Sequence, residues 1–173
     1  MSGRLLLGVT GSSAAESVPS LLKAAADRDW EVEIVATPQA ERFLSSVQQH
    51  VHTDEEWRRT TAPLHLHLLR GIDAFLVAPA TANTLAACAQ GLADNLLRAL
   101  VISHQPVHFW PTMNHLMWKS PIVQHNVRRL AELNHHVLTP DPSPSLTTDD
   151  PTAAVGPIPG TVLDHLTRCN HCP

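Results

Sequence analysis

Two short stretches of this chain carry residue types suited to ligand chemistry. Pro111-Thr112-Met113-Asn114-His115-Leu116-Met117-Trp118 places an amide among thioethers, and Pro79-Ala80-Thr81-Ala82-Asn83-Thr84 places hydroxyls and a second amide in a tight turn. Each follows a short apolar run that reads as a buried strand, 74–78 for the first hexapeptide and 107–110 for the octapeptide. In an open α/β sheet, ligands bind at the loops that leave the carboxyl ends of strands. The two loops therefore predict one shared site. Asn83 either caps the helix that follows or hydrogen-bonds a ligand. Asn114 sits among apolar residues, where an amide needs partners.

Other residues supply further chemistry to the same rim. Gly8-Val9-Thr10-Gly11-Ser12-Ser13 lies between the first predicted strand and the first helix. A Gly/Ser turn there lets backbone N–H groups approach an anion, with the helix dipole in support. The plainer reading is a βα turn capped by Ser12 or Ser13. Thr37 ends the second strand and adds a hydroxyl or caps the next helix. His65 and His67 precede the third strand, and one of them could serve as a general base near neutral pH. His115, His135 and His136 read as structural or solvated, and Met113 and Met117, taken alone, as core filler.

The elements that must position these residues alternate. Strands are expected at 4–9, 31–36, 74–78, 99–102, 107–110 and 136–138. Helices are expected at 14–28, 39–47, 84–97 and 121–133, with a short helix or turn at 64–70. This order predicts a single three-layer α/β domain, a doubly wound parallel sheet of the Rossmann-like, flavodoxin-like type. Residues 50–63 read as a loop. Residues 139–160 hold six prolines and read as one long loop, the kind that serves as a lid. Residues 161–167 read as a helix turn within a C-terminal tail, 161–173.

Composition excludes several classes. With 173 residues and 43% hydrophobic content the chain can bury a real core. A net charge of -4 without a basic face argues against nucleic-acid binding. No apolar run reaches the roughly 18 residues of a transmembrane helix, and no signal peptide is read, so no membrane partner and a cytoplasmic location are expected. The three cysteines, Cys88, Cys169 and Cys172, do not make a disulfide framework. Cys169-Asn170-His171-Cys172 has CxxC spacing but stands alone and reads as an incidental tail. The twelve histidines contain no HExxH spacing, and no metal site is expected.

Taken together, the motifs resemble the homo-oligomeric flavin-containing cysteine decarboxylases, over residues 5 to about 140. The resemblance rests on the Gly8–Ser13 turn, Thr37 with Phe43, His65 eight residues before Asp73, PATANT at 79–84, Gly91-Leu92-Ala93-Asp94-Asn95-Leu96-Leu97, and PxMNxxMW at 111–118. It implies FMN bound at a subunit interface of a homotrimer or homododecamer. The phosphate would rest on Gly11, Ser12, Ser13 and Thr37, and the flavin on Ala80, Thr81 and Asn83, with Phe43 and Met113 as apolar neighbours. The active-site histidine maps to His65, which would assist thiol deprotonation. The asparagine that orients the substrate carboxylate maps to Asn114, with Met117 beside it.

The implied reaction starts from a cysteine carboxylate, which has no electron sink for loss of CO2. Hydride removal from Cβ makes a thioaldehyde that can accept those electrons, and an enethiol results. Phosphopantothenoylcysteine decarboxylases carry a lid cysteine that leads on to a saturated thiol. Residues 139–160 contain none. The expectation is therefore an oxidative peptidyl-cysteine decarboxylase acting on the C-terminus of a ribosomally made precursor peptide, as in lantibiotic-type biosynthesis. The alternatives are phosphopantothenoylcysteine decarboxylation for coenzyme A, or a non-catalytic flavoprotein or regulatory subunit of the same fold.

Overall fold

A computed structural model describes residues 3–143, 154–156 and 159–169. Its centre is a six-stranded parallel sheet in the order β3-β2-β1-β4-β5-β7. The strands are β1 (Gly3–Val9), β2 (Trp30–Ala36), β3 (Val51–His52), β4 (Ala74–Ala80), β5 (His108–Pro111) and β7 (His136–Val137). The chain winds outward through β1, β2 and β3, then returns past β1 to add β4, β5 and β7. The doubly wound expectation holds, and the winding reverses between β1 and β4. A crevice opens at such a reversal, outside the carboxyl ends of the two strands.

The apolar runs explain the sheet. Every residue of β4 is buried, as a strand covered on both faces requires. One face carries α1 (Val18–Ala26) and α9 (Pro159–Cys169). The other carries α5 (Ala82–Ala89), α6 (Leu96–Ile102) and α8 (Pro121–Glu132). Gly8 permits the second packing, since a Cβ there would run into Leu97 of α6.

Several boundaries differ from expectation. The strand expected at 99–102 is helix: Gly91, at φ +73°, ends α5, and the Asn95 side chain accepts from Arg98 N–H at 2.9 Å to start α6. Its apolar residues face a helix–sheet interface, which a short run cannot distinguish from a strand. The helix expected at 14–28 begins as a 3-10 turn over Ser13–Ser17, and that expected at 39–47 is only α2 (Pro38–Glu41). The loop expected at 50–63 contains β3 and α3 (Asp54–Arg59), whose cap is Thr53. α4 (Leu64–Leu68) falls where a short helix was expected.

The C-terminal part departs most. The long loop expected at 139–160 supplies β8 (Asp141–Ser143) and β9 (Ala154–Gly156), which join β6 (Met113–Asn114) in a small antiparallel sheet ordered β6-β9-β8. The lid expected there lies in part outside the described residues. α9 is a full helix rather than a turn in a tail, with Val162, Leu163 and Leu166 buried in the core. A pattern of three apolar positions was too short to reveal it.

Candidate functional site

The crevice at the β1/β4 reversal is built by three loops. The first is the Gly11-Ser12-Ser13 turn after β1, the second begins at Thr37 after β2, and the third is the PATANT segment spanning the end of β4 and the start of α5. Thr10 ties the first to the third. Its buried Oγ1 donates to the Pro79 carbonyl at 2.8 Å and accepts from Thr81 N–H at 3.1 Å. Thr37 N–H donates to the Val9 carbonyl at 3.0 Å and so fixes the second loop to the first. Gly11 lies against Gln39, where a Cβ would clash. All three loops therefore share one frame.

The cleft between them measures about 290 Å³ and is lined by Gly11, Thr37, Gln39, Thr81, Ala82, Asn83, Thr84, Asn95, Arg98 and Met117. Three hydroxyl and amide roles left open by the sequence now resolve. Ser12 accepts from Ala14 N–H at 3.3 Å and is a cap, while Ser13 is exposed. Thr81 is the cap of α5, accepting from Thr84 N–H at 3.3 Å, so Asn83 is not needed for capping and remains exposed on the cleft wall. Thr37 stands at the cap position of α2 but makes no side-chain cap bond, and its buried Oγ1 has no partner. A buried hydroxyl without a partner is costly, and a ligand oxygen in the cleft would satisfy it.

The PxMNxxMW segment reaches the cleft through Met117, and Asn114 itself does not line it. Asn114 Oδ1 accepts from Leu116 N–H at 2.7 Å and caps α7 (His115–Lys119), leaving the amide N–H groups free to donate. A donor is what a carboxylate needs. Its backbone is held by β9, with Asn114 opposite Ala154 and Met113 opposite Val155. Met117, on α7, reaches the cleft and is about half exposed.

Not every expected residue lines this space. Ala80 is fully buried at the end of β4, and its carbonyl accepts from Thr112 N–H at 3.0 Å. Met113 is a core residue. Phe43 is half-buried, with the Arg42 guanidinium 4.6 Å from its ring centre. His65 lies on α4, edge-on to Trp57 with ring centres 6.2 Å apart. Its Nδ1 is buried without a partner, and it does not line the cleft of its own chain. His67 is exposed, whereas His135 is structural, accepting from Val107 N–H at 3.2 Å.

Two residues acquire roles that spacing did not signal. Thr10 is the staple described above. Arg98 is 9% exposed, donates to Asp94 from Nη1 at 2.6 Å, leaves Nε without a partner and lines the cleft. It is a buried cation where a ligand would lie, and the hydrogen bond from Arg98 holds the Asp94 carboxyl below its ordinary range. Arg98 falls between the helix expected at 84–97 and the strand expected at 99–102, where the pattern assigns it no role. Cys88 is inert: burial pushes its thiol up to about 12.

Fold and cleft together define a doubly wound α/β protein with an open cleft at the switch between its two halves. Residues 2–170 match the Flavoprotein family, and the chain belongs to that family. The resemblance read from its motifs is borne out. It is 39% identical over 138 residues to phosphopantothenoylcysteine decarboxylase of Mus musculus, covering 73% of this chain and 68% of that protein. It is 32% identical over 145 residues to mersacidin decarboxylase of a Bacillus species, covering 79% and 73%. A solved cysteine-to-serine variant of a PPC decarboxylase, complexed with pantothenoylaminoethenethiol, matches with a TM-score of 0.86 at 27% identity, over 98% of both chains.

Proposed function

We propose that this chain is an FMN-dependent decarboxylase of a terminal cysteine residue, and that it releases an enethiol. The family and the similarity to decarboxylases of two substrate classes support decarboxylation. The cofactor is FMN. The cleft suits it: the partnerless Thr37 hydroxyl and the Gly11 backbone line it and would take the phosphate, with Ser13 on the adjoining turn, while Thr81 and Asn83 would meet the ring system. Held by these residues, FMN would supply the acceptor for a hydride from the substrate Cβ.

The chain's own residues do the rest. Asn114 donates its amide to the substrate carboxylate and orients it. Met117 would supply the apolar surround at the cleft, with Met113 packed in the core behind it. His65 takes the thiol proton as the thioaldehyde forms, and loss of CO2 then leaves the enethiol. The two electrons leave the substrate as that hydride, and with the thiol proton they would reduce oxygen, the final acceptor, to hydrogen peroxide. A second copy of the chain would bring His65 to the cleft, because His65 does not line its own and about 290 Å³ is small for a cofactor and a substrate together. The assembly of this reading is a homotrimer or a homododecamer built from such trimers.

The observation that carries the finer reading is the lack of a cysteine between residues 139 and 160. The solved PPC decarboxylase that holds an enethiol is likewise a variant in which a cysteine has become serine. This supports an enethiol as the end product, and with it a C-terminal peptidyl cysteine destined for an aminovinyl-cysteine ring. The lid of this reading remains the Pro-rich stretch 139–160, of which the described strand β9 pairs with Asn114. A second reading, phosphopantothenoylcysteine as substrate, is favoured by the higher identity to the mouse enzyme, 39% against 32%.

The test is substitution in the FMN-loaded protein. His65→Asn and Asn114→Ala should each lower product formation by about 100-fold or more while FMN stays bound. Full activity in both variants would contradict the assignment.

A further inference from the structure

A second constellation lies at the β3 edge of the sheet. His50 Nε2 is 3.1 Å from Glu56 Oε2, and His52 Nδ1 is 3.0 Å from the same oxygen. The three ligand-type atoms all lie within 4.8 Å of one another. Local structure explains the convergence. β3 runs beside β2, so His52 stands near Glu33 of that strand, and the Thr53 cap starts α3 so that Glu56 falls in its first turn. His52 Nε2 is 3.2 Å from Glu33 Oε2.

His52 thus has a carboxylate oxygen at each ring nitrogen. A neutral imidazole carries one N–H and can donate to only one of them. The other nitrogen then presents a lone pair to a carboxylate at hydrogen-bonding distance, which repels. A cation between Nδ1 and Glu56 removes the conflict. With the proton on Nε2 facing Glu33, Nδ1 becomes a ligand whose tautomer and ring orientation are fixed by an outer carboxylate, the usual support of a metal-bound histidine. Glu33 and Glu56 together offset two positive charges.

We propose that His50, His52 and Glu56 bind a divalent transition-metal ion, with Glu33 as the orienting carboxylate. Two imidazoles and one carboxylate suit zinc and its neighbours in the first row better than calcium or magnesium. The side chain of His52 is 12% exposed and that of His50 66%, so the ion sits at the surface with remaining positions open to water. The ion would join the edge strand to α3. Trp57, the residue after Glu56, is the one that packs against His65, so the ion also braces the element beside that histidine.

The experiment uses the FMN-loaded full chain with Cys169→Ser and Cys172→Ser, because the tail's CxxC spacing is itself a zinc ligand pattern. The protein is stripped with a chelator, carries no affinity tag of histidines, and is titrated with ZnCl2 by calorimetry. The expected result is one saturable zinc per chain with a dissociation constant on the order of micromolar or tighter. His50→Ala, on an exposed side chain, and Glu56→Gln should each weaken it about tenfold or more, and Glu33→Gln about tenfold. Absence of saturable binding, or binding unchanged in His50→Ala or in Glu56→Gln, overturns the site.

Discussion

Thr10 and Thr81, 71 residues apart in sequence, share a hydrogen bond of 3.1 Å from the Thr81 N–H to the Thr10 hydroxyl. The same hydroxyl donates to Pro79 O, so one side chain satisfies a donor and an acceptor on the neighbouring loop. Thr10→Val keeps the shape and removes both bonds. The Thr81 N–H and the Pro79 carbonyl would lose their partners, at a cost of about 1–3 kcal/mol. Urea unfolding should show that loss, and FMN should dissociate more readily.

Thr37→Val is expected to act in opposite directions on stability and on cofactor binding. The Thr37 hydroxyl is buried without a partner, so its replacement by a methyl should leave the apoprotein as stable or slightly more so. If the hydroxyl holds the FMN phosphate, affinity for FMN should fall by about tenfold. Thermal unfolding of apoprotein and fluorescence titration with FMN read the two effects separately.

Arg98 places a positive charge in the cleft. A cation beside a flavin favours its reduced, more anionic form. Arg98→Met should therefore lower the two-electron potential of the bound FMN, where each ~30 mV corresponds to about 1.4 kcal/mol. Equilibration with a reference dye measures it. An unchanged potential would mean that Arg98 serves only its ion pair with Asp94.

His108 supplies a pH dependence. Burial, aided by the neighbouring His136, His165 and His104, lowers it from its ordinary 6.5 to about 4. The unfolded chain then binds the proton first as pH falls, so stability is complete above about 6.5 and is lost progressively as pH falls toward 4. The loss is on the order of 2–3 kcal/mol. His104 and His135, also lowered by burial, add to it in the same direction. Denaturant titrations at pH 7.5 and 4.5 should show a smaller difference for His108→Gln than for the parent.

Much of this was legible in the residues. The alternation of apolar runs and helical patterns was enough for the doubly wound sheet, because strands buried on both faces read as continuous apolar stretches. The two Asn-bearing loops were legible because strand-end loops gather at one edge. Arg98 was not, since its burial depends on α6 folding back beside α5, which nothing in the spacing shows. Nor was α6 itself, whose residues 99–102 are as apolar as a strand. The pairing of Ala154 with Asn114 joins residues forty positions apart across a Pro-rich stretch, and local pattern carries no such contact. The His50–His52–Glu56 cluster crosses a strand and a helix that had read as one loop.

In the proposed reaction the protein oxidatively decarboxylates a terminal cysteine and stops at the enethiol. The direct measurement is mass spectrometry of the FMN-loaded protein in air with synthetic peptides ending in cysteine and, separately, with phosphopantothenoylcysteine. Loss of CO2 together with two hydrogens from the peptides is the expected result. Loss of CO2 alone, giving a saturated thiol from either substrate, would contradict the claim, and so would unaltered peptides beside converted phosphopantothenoylcysteine.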